Sequence, residues 1–227
     1  MSILTCDFFL RPDVVQIARD LLGKHIVTRF DGETTSGIIC ETEAYAGITD
    51  RASHAYGGRR TARTETMYAK GGTAYVYLCY GIHSLFNVVT NVEGIPHAVL
   101  IRGIIPVHGT QKMLQRTGKA WITREIGIGP GKVAKLLGIH YSHSGIDLLK
   151  SGESGKEPAI WIEDIGIIIP PAMVKAGPRV GVDYAGEDAL LPYRYWLNED
   201  LPGFKNLEGL LPPKKKPGQN RVFIEKQ

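Results

Sequence analysis

Residues 37–60 constrain the fold more than any other stretch, because they begin as an apolar strand and end as a basic loop that contains glycine. The first part reads GIICETEAY, and alternate side chains of an extended strand point to the same face. The odd-numbered residues from Ile39 to Tyr45 are therefore expected on one face, and the even-numbered residues from Ile38 to Ala44 on the other. The first face brings Glu41 and Glu43 together beside an aromatic ring near the end of the strand.

Basic and aromatic side chains follow this strand closely along the chain. The loop after it reads AGITDRASHAYGGRRTAR, and its arginine, histidine and tyrosine residues are Arg51, His54, Tyr56, Arg59, Arg60 and Arg63. Carboxylates, aromatic rings, an imidazole and arginines at this density predict a site for a ligand that is both anionic and aromatic.

Hairpin signals and short apolar runs dominate the rest of the sequence. Asp31-Gly32 is a typical hairpin turn, so both glutamates lie on the second arm of a predicted hairpin. Helices are predicted after Pro12-Asp13, over residues 108–117 and after Gly129-Pro130-Gly131. Strands are predicted at residues 24–30, 36–45, 73–79, 85–90, 98–107, 146–149, 159–163, 165–169, 179–182 and 193–197.

Arg102 lies inside the apolar run of residues 98–107 and needs a partner there, since an unpaired buried charge is costly. Glu43 or Glu41 is the obvious partner. An arginine beside Glu43 is expected to keep that carboxylate ionised.

Composition limits the class of protein. The 227 residues are 43% hydrophobic and 22% charged, which is typical of one globular domain. Cys6, Cys40 and Cys79 are an odd number of cysteines without metal-ligand spacing, so no metal site and a reducing compartment are expected. No long apolar run and no signal peptide are found, so the expected location is the cytoplasm, or a bacterial nucleoid if the partner is DNA.

Positive charge is unevenly distributed over a chain whose net charge is only +4. Residues 102–135 contain seven Lys and Arg but one acid, Glu125. This pattern indicates a basic face for a polyanion, although an ordinary solvated surface is an equally good interpretation. The glycine-rich helix start followed by Lys132 and Lys135 is typical of a phosphate site, without the spacing of a nucleotide-binding P-loop.

Taken together, these residues resemble the alkyladenine DNA glycosylase family, also called methylpurine or 3-methyladenine DNA glycosylases. The resemblance runs in order over nearly the whole chain from Phe8 to Leu197. The segments that carry it are ETEAY (41–45), ASHAYGGRRTAR (52–63), GGTAYVYLCYGIHSLFNVV (71–89), VLIRG (99–103), GPGKVAKLLGI (129–139) and RVGVDYAGE (179–187).

The resemblance implies an α+β fold: a single mixed domain, residues 1–227, with a curved and mainly antiparallel β-sheet and peripheral helices. Residues 1–7 and 212–227 are expected to be loosely ordered tails. The implied activity is hydrolysis of the bond between deoxyribose and an alkylated or deaminated purine: 3-methyladenine, and also 7-methylguanine, hypoxanthine or ethenoadenine. The implied partner is double-stranded DNA that contains such a base. No cofactor, no metal and a monomer are expected, and the base must leave the duplex stack to react.

The resemblance also implies roles for individual residues. Glu43 matches the general base that activates water, and Arg102 matches the residue that holds this water and the carboxylate. Tyr80 matches the side chain that intercalates where the nucleotide has left. The base pocket corresponds to Tyr45, His54 and Tyr77, whose electron-rich rings suit cationic alkylated purines, and to Asn87, which matches the residue that narrows the pocket against the amino group of guanine.

Contacts with DNA phosphates are implied for six positions, at Arg59, Gly131, Lys132, Val182, Asp183 and Tyr184. Asp183 and Tyr184 depart from the residues expected in the family. Tyr75 and the tryptophans Trp121, Trp161 and Trp196 are predicted to be packing residues.

Two other functions are compatible with the residues. A nucleic-acid-binding domain without catalysis would keep the basic face and Tyr80, but it would not need a carboxylate beside the sugar. A sugar hydrolase could use Glu41 and Glu43 as a carboxylate pair, although the many arginines disfavour a neutral glycan.

Overall fold

A computed structural model describes residues 2–150 and 158–198 of the chain. Four α-helices lie in these ranges: α1 (Cys6–Phe9), α2 (Val14–Asp20), α3 (Thr110–Thr117) and α4 (Pro130–Leu137). The strands in the same ranges are β1 (Ser2–Ile3), β2 (His25–Phe30), β3 (Glu33–Tyr45), β4 (Ala74–Cys79), β5 (His83–Thr90), β6 (His97–His108), β7 (Ala159–Asp164), β8 (Val174–Gly177) and β9 (Arg194–Leu197).

All of these strands belong to one curled antiparallel sheet, as an α+β fold requires. Its order is β1-β7-β2-β3-β6-β5-β4, and β9 pairs with both β3 and β8. β3 is the centre of the sheet because one of its edges pairs with β6 along almost its whole length. Its other edge pairs with β2 up to Ile38 and with β9 from Glu41 onward. The glutamates therefore lie on a central strand and not on an edge.

A β-bulge interrupts β3 between these two segments. Ile39 pairs with Ile104 and Glu41 with Gly103, so Cys40 is an extra residue on β3. The predicted alternation along the strand is therefore wrong across this point. Ile39 packs in the main core together with Ala44, whereas Cys40 packs in a second cluster.

The main core fills the space between the sheet and helices α2 and α4. Helix α2 contributes Val14, Ile17 and Ala18, and α4 contributes Val133, Leu136 and Leu137. The hydroxyl of Thr42 on β3 donates to the carbonyl of Ala18 at 2.7 Å, which ties α2 to the sheet. β3 is thus fixed to α2 on the face that points to the main core.

The helices begin close to the expected positions. Asp13 caps α2 by accepting a hydrogen bond from the backbone of Gln16 at 2.9 Å. Helix α3 begins at Thr110 and not at His108, because β6 continues to His108 and pairs there with Ser36.

Three predicted strands are wrong. Residues 146–149 make only an isolated bridge from Asp147 to Thr73, and residues 165–169 and 179–182 are not in strands. Most of their apolar side chains pack against the core without a strand partner, although Ile168 and Val180 are exposed. Alternation alone therefore could not distinguish these segments from strands. β8 was not expected, and Ser2–Ile3 and Cys6–Phe9 lie in β1 and α1. Residues 212–227 lie outside the described residues.

Trp161 is buried and Trp196 is half-buried, whereas 46% of Trp121 is exposed, so the prediction that it packs in the core is wrong. Among the described residues, no helix is both long and apolar enough to cross a membrane. The same residues contain no cluster of three or more His, Cys, Asp or Glu that could hold a metal ion.

Candidate active site

A cleft of about 430 Å³ opens where β3 to β6 meet the loops around residues 52 and 181. Aromatic side chains line much of it: Tyr45, His54, Tyr75, Tyr77, Tyr80 and Tyr184. Asn87, Arg63 and Arg102 add polar groups to the lining. The residues predicted for the base pocket therefore share one cavity.

Glu43 lies behind this cleft and has no exposed surface. Its Oε1 accepts a hydrogen bond from the backbone of Val180 at 2.7 Å and lies 3.3 Å from Nε of Arg102. Its Oε2 accepts a hydrogen bond from the hydroxyl of Tyr45 at 2.8 Å. Tyr45, Arg102 and Val180 all line the cleft, so these three residues stand between the carboxylate and the cavity.

Burial raises the pKa of Glu43 above the ordinary value for glutamate. Arg102 opposes this effect, and so do the hydrogen bonds from Val180 and Tyr45, but together they do not cancel it. Arg102 thus favours the ionised form as expected, although the net direction is upward. A raised pKa makes the carboxylate a better proton acceptor near neutral pH.

Arg102 does not serve Glu43 alone. Its Nε also donates to Oε1 of Glu41 at 3.1 Å. The same oxygen of Glu41 accepts a hydrogen bond from Nε of Arg194 on β9 at 2.6 Å. Arg102 therefore contacts both of its expected partners, Glu41 and Glu43. Arg194 is a further charged group at this cluster that the sequence did not single out.

His54 forms one wall of the cleft and packs edge-on against Tyr77, with ring centroids 4.6 Å apart. Its Nδ1 lies 2.9 Å from the hydroxyl of Tyr75. Burial, together with the nearby charges of Arg63 and Arg59, lowers the pKa of His54 to about 4. The imidazole is therefore neutral at neutral pH and can present either a donor or an acceptor to a base.

Tyr75 and Arg63 are two cleft residues whose roles the sequence did not reveal. Tyr75 is buried and orients His54, which is more than the packing role predicted for it. Its position on the same strand face as Tyr77, two residues away, was the available signal. The guanidinium of Arg63 lies 5.0 Å from the centre of the Tyr77 ring, and its Nη2 lies 3.4 Å from Nε2 of His54.

Asn87 lies on the floor of the cleft and is almost fully buried. Its amide nitrogen donates to the carbonyl of Tyr75 at 3.1 Å and is 3.4 Å from the carbonyl of Leu85. These bonds hold the side chain in one orientation, so its position can limit the shape of a bound base.

Tyr80 occupies the turn between β4 and β5 at the mouth of the cleft. It is 92% exposed, and its φ of 51° is in the left-handed region, which is uncommon for a residue with a large side chain. With this backbone conformation and exposure, the ring projects from the turn into the solvent at the mouth of the cleft.

Only some of the residues predicted to contact phosphates line the cleft. Val182 and Tyr184 line the cleft, and the hydroxyl of Tyr184 donates to the carbonyl of Ala52 at 3.1 Å. Arg59 and Asp183 are exposed. Gly131 packs so closely on His83 that an added Cβ would lie 3.2 Å from its ring, and Lys132 donates to the carbonyl of Glu125 at 3.2 Å.

A buried ion pair supports the loop that contacts Glu43. Arg179 donates to both carboxylate oxygens of Asp50, at 2.5 and 2.8 Å, and to the carbonyl of Ala44 at 2.8 Å. Its guanidinium also lies 4.9 Å from the centre of the Tyr45 ring. The pair therefore fixes Val180 and Tyr45, the two residues that hydrogen-bond to Glu43.

Comparisons with known proteins agree on one family. The family model described as "Methylpurine-DNA glycosylase (MPG)" matches residues 7–201. A protein of Chlamydia felis is 45% identical over 194 residues, which cover 84% of this chain and 94% of that protein. A protein of Methanocella arvoryzae is 43% identical over 198 residues, which cover 86% and 92% respectively. Both carry the name "Putative 3-methyladenine DNA glycosylase".

Proposed function

The chain belongs to the methylpurine-DNA glycosylase family, and from this membership we propose that it turns alkylated purines out of duplex DNA and hydrolyses their N-glycosidic bond with a water activated by Glu43. One observation carries the proposal: a buried carboxylate, paired with an arginine, lies directly behind a cleft with aromatic walls. The product would be an abasic site and a free base.

The chemistry follows from the charges around the sugar. As the bond to the base weakens, positive charge develops on the anomeric carbon, and the negative charge of Glu43 stabilises it. Water attacks that carbon, Glu43 takes its proton, and the bonding electron pair leaves with the base. Each carboxylate oxygen has two lone pairs, so Glu43 can accept a hydrogen bond from this water beside those from Val180 and Tyr45.

Cationic bases are the substrates that this cleft suits best. 3-Methyladenine and 7-methylguanine are positively charged in the nucleotide, and the departing electron pair neutralises them without a proton donor. The ring face of Tyr77 already holds a cation, the guanidinium of Arg63, at 5.0 Å. A cationic purine that displaces Arg63 would meet the same favourable ring face.

Hypoxanthine and ethenoadenine are neutral and need a proton to leave at a similar rate. Among the described residues that line the cleft there is no Asp or Glu. His54, whose pKa is lowered to about 4, holds little proton at neutral pH. Excision of these neutral bases is therefore expected to be slower than excision of 3-methyladenine.

Duplex DNA reaches the site through the outer rim of the cleft. Tyr80, which projects from its turn, would fill the space that the extruded nucleotide leaves. Arg59, Gly131, Lys132 and the segment 182–184 would bind phosphates on either side. A single copy of the chain contains all of these groups, so we expect it to act as a monomer.

The test is an excision assay with Glu43→Gln on duplexes that contain one 3-methyladenine, 7-methylguanine, hypoxanthine or ethenoadenine. General-base catalysis contributes on the order of 10²–10⁴-fold, so single-turnover excision should fall by at least about 10²-fold. Lesion binding, measured by fluorescence anisotropy, should remain because the aromatic and basic groups are unchanged. Excision at the rate of the unsubstituted protein would refute the role of Glu43.

Glu163→Gln is the matched control for this substitution. Glu163 on β7 accepts a hydrogen bond from Nε1 of Trp161 at 2.6 Å and does not line the cleft. Its substitution also removes a half-buried carboxylate, but it should leave excision unchanged.

The two other functions are less well supported by this geometry. Arg102 and Arg194 both bind Glu41, so it is poorly placed to act with Glu43 as an acid–base pair on a glycan. A domain that only binds DNA would have no use for a carboxylate without exposed surface behind its cleft. Incubation with labelled duplexes and with simple glycosides separates the three functions.

A further inference from the structure

We propose that Glu41 and Arg194 are a positioning pair that controls how strongly Arg102 binds Glu43. Neither residue lines the cleft, so neither would touch the substrate. The inference rests on the proposed function for its kinetic readout, because Glu43 is taken to be the general base.

The first step is the shared donor. Nε of Arg102 lies 3.1 Å from Oε1 of Glu41 and 3.3 Å from Oε1 of Glu43. One nitrogen with one hydrogen cannot make a strong hydrogen bond to both oxygens at once. Whatever strengthens the contact with one carboxylate therefore weakens the contact with the other.

The second step is the counterion of Glu41. Arg194 approaches the same oxygen, Oε1 of Glu41, to 2.6 Å, which is closer than Arg102 comes. Arg194 thus neutralises much of the charge of Glu41 and leaves Arg102 free to interact with Glu43. Without Arg194, Glu41 would hold Arg102 more tightly.

The backbone brings these four side chains together. The bulge at Cys40 changes the partner of β3 from β2 to β9, and Glu43 then pairs with Arg194 in the strand register. Gly103 pairs with Glu41, and a Cβ at Gly103 would lie only 2.8 Å from the Cβ of Glu41. The absence of that Cβ gives the bulge room.

Burial strengthens the electrostatic effect of this group of charges on Glu43. The side chains of Glu41 and Glu43 are 4% and 0% exposed, and that of Arg102 is 12% exposed. Charges interact more strongly in such a setting than in water, and screening by salt is weak. An ion pair behind the general base is then able to change its protonation.

Other charged or titratable groups also face Glu43, and they must stay constant in the test. Tyr45 lies on the same strand, and Tyr77, Arg179 and Tyr184 approach from β4 and from the loop after β8. Within the described part of the chain, none of these four residues makes a hydrogen bond or an ion pair with Glu41 or Arg194. Substitutions at the pair therefore act on Glu43 through Arg102 and through the direct repulsion between Glu41 and Glu43.

Opposite effects of the two substitutions distinguish this role from a merely structural ion pair. Glu41→Gln removes a negative charge beside Glu43 and lets Arg102 interact more strongly with Glu43. The pKa of Glu43 should therefore fall. Arg194→Gln exposes the full charge of Glu41 to Arg102, so the pKa of Glu43 should rise. Loss of a structural contact would instead change both variants in the same direction.

The experiment measures the acid limb of the pH–rate profile for excision of 3-methyladenine by the full chain. This limb should move to lower pH in Glu41→Gln and to higher pH in Arg194→Gln. Arg194→Lys, which keeps the charge, should return the limb most of the way to its original position. Limbs that stay unchanged, or that move in the same direction in both glutamine variants, would overturn the proposal.

A second readout does not depend on activity. The side-chain carboxyl carbon of Glu43, labelled with ¹³C and assigned by its absence in Glu43→Gln, reports the same pKa by NMR titration. If the chain does not excise bases but the titration moves in opposite directions, the pairing stands and the proposed function fails. If the chain excises bases but the titration does not move, only the pairing fails.

Arg11→Gln and Asp20→Asn are the control variants. Arg11 and Asp20 form an ion pair of the same length, 2.6 Å, and neither lines the cleft. Both substitutions should leave the acid limb and the Glu43 titration in place, even if they lower the thermal stability.

Discussion

At the scale of single residues, the burial of the Glu43 carboxylate destabilises the folded chain when the carboxylate is ionised. Burial raises its pKa, which means that the folded chain binds the proton more tightly than the unfolded chain. The free energy of unfolding is therefore highest below the ordinary glutamate pKa, where Glu43 is protonated in both the folded and the unfolded chain. It falls as pH rises from the ordinary pKa through the raised pKa of the folded chain. At neutral pH the ionised carboxylate is a cost to folding, and its function is the reason to keep it.

Glu43→Gln should therefore raise the melting temperature at neutral pH. The amide keeps the shape of the side chain and removes the buried charge. In a chain of this size each 1 kcal/mol corresponds to about 2–4 °C. The gain should shrink as pH falls below the raised pKa, where Glu43 is protonated anyway. Calorimetry at several pH values measures it, and a lower melting temperature at neutral pH would show that the contacts with Arg102 and Val180 outweigh the burial cost.

Tyr75→Phe tests whether the orientation of His54 matters. The substitution removes the hydroxyl that lies 2.9 Å from Nδ1 of His54 and leaves the ring. A hydrogen bond of this kind is worth about 1 kcal/mol, so excision should slow by up to about fivefold. Long-range ¹H–¹⁵N spectra should also show a changed tautomer population. A single unchanged tautomer would contradict the role.

Tyr68→Phe is the control for Tyr75→Phe. Tyr68 is also buried, and its hydroxyl donates to the carbonyl of Arg59 at 3.1 Å. Its loss should cost similar stability without altering the His54 spectrum.

Residues in contiguous motifs could be placed from the sequence, and residues that act through distant partners could not. Glu43, Tyr45, His54 and Tyr77 all lie at the predicted site. Asp50 and Arg179, by contrast, are 129 positions apart. No local pattern relates two such residues, so only the closed fold reveals that they meet.

At the scale of elements, the bulge in β3 shows what periodicity misses. Alternation predicts which residues share a face only while the register is unbroken, and one extra residue reverses it. The bulge coincides with the exchange of β2 for β9 as the neighbour of β3. Nothing in the run GIICETEAY marks this exchange, because both faces of the strand are buried.

In the turn between β4 and β5, Tyr80 has an unfavourable backbone conformation. A left-handed conformation costs a residue with a side chain about 1–2 kcal/mol, and glycine avoids this cost but loses more entropy on folding. Tyr80→Gly should therefore leave the melting temperature equal or slightly higher. The same variant should weaken lesion capture, seen as a smaller 2-aminopurine fluorescence change on titration with DNA.

Asp31→Gly provides the matched control, since Asp31 also has a positive φ, 54°, in the turn between β2 and β3. Aspartate tolerates this conformation better than most residues, so the effect of Asp31→Gly on stability should be smaller, and the fluorescence change should be unaffected. If Tyr80→Gly titrates like the unsubstituted protein, Tyr80 does not act as the wedge.

At the scale of the whole molecule, the basic stretch of residues 102–135 does not form a uniform surface. Arg102 directs its charge to the buried glutamates, and Arg116 donates to the carbonyl of Leu136 at 2.8 Å inside the fold. Lys112 lies 3.8 Å from Glu33. The count of charges along the sequence therefore overstates what is available to a polyanion. Lys132 and, from another loop, Arg59 are exposed and remain candidates for phosphate contacts.

Salt dependence measures how many charges reach the DNA. The logarithm of the binding constant for duplex DNA falls linearly with the logarithm of salt concentration, with a slope of about −0.9 for each phosphate neutralised. Arg59→Ala and Lys132→Ala should each make this slope shallower by about 0.9, and the double variant by about twice that, for undamaged and damaged duplexes alike. Lys24→Gln is the control, because Lys24 pairs with Asp164 at 2.6 Å on the far side of β3 from the β4–β5 turn, and it should leave the slope unchanged. A slope that neither Arg59→Ala nor Lys132→Ala alters would mean that these side chains do not contact phosphates, and that DNA approaches the cleft by another face.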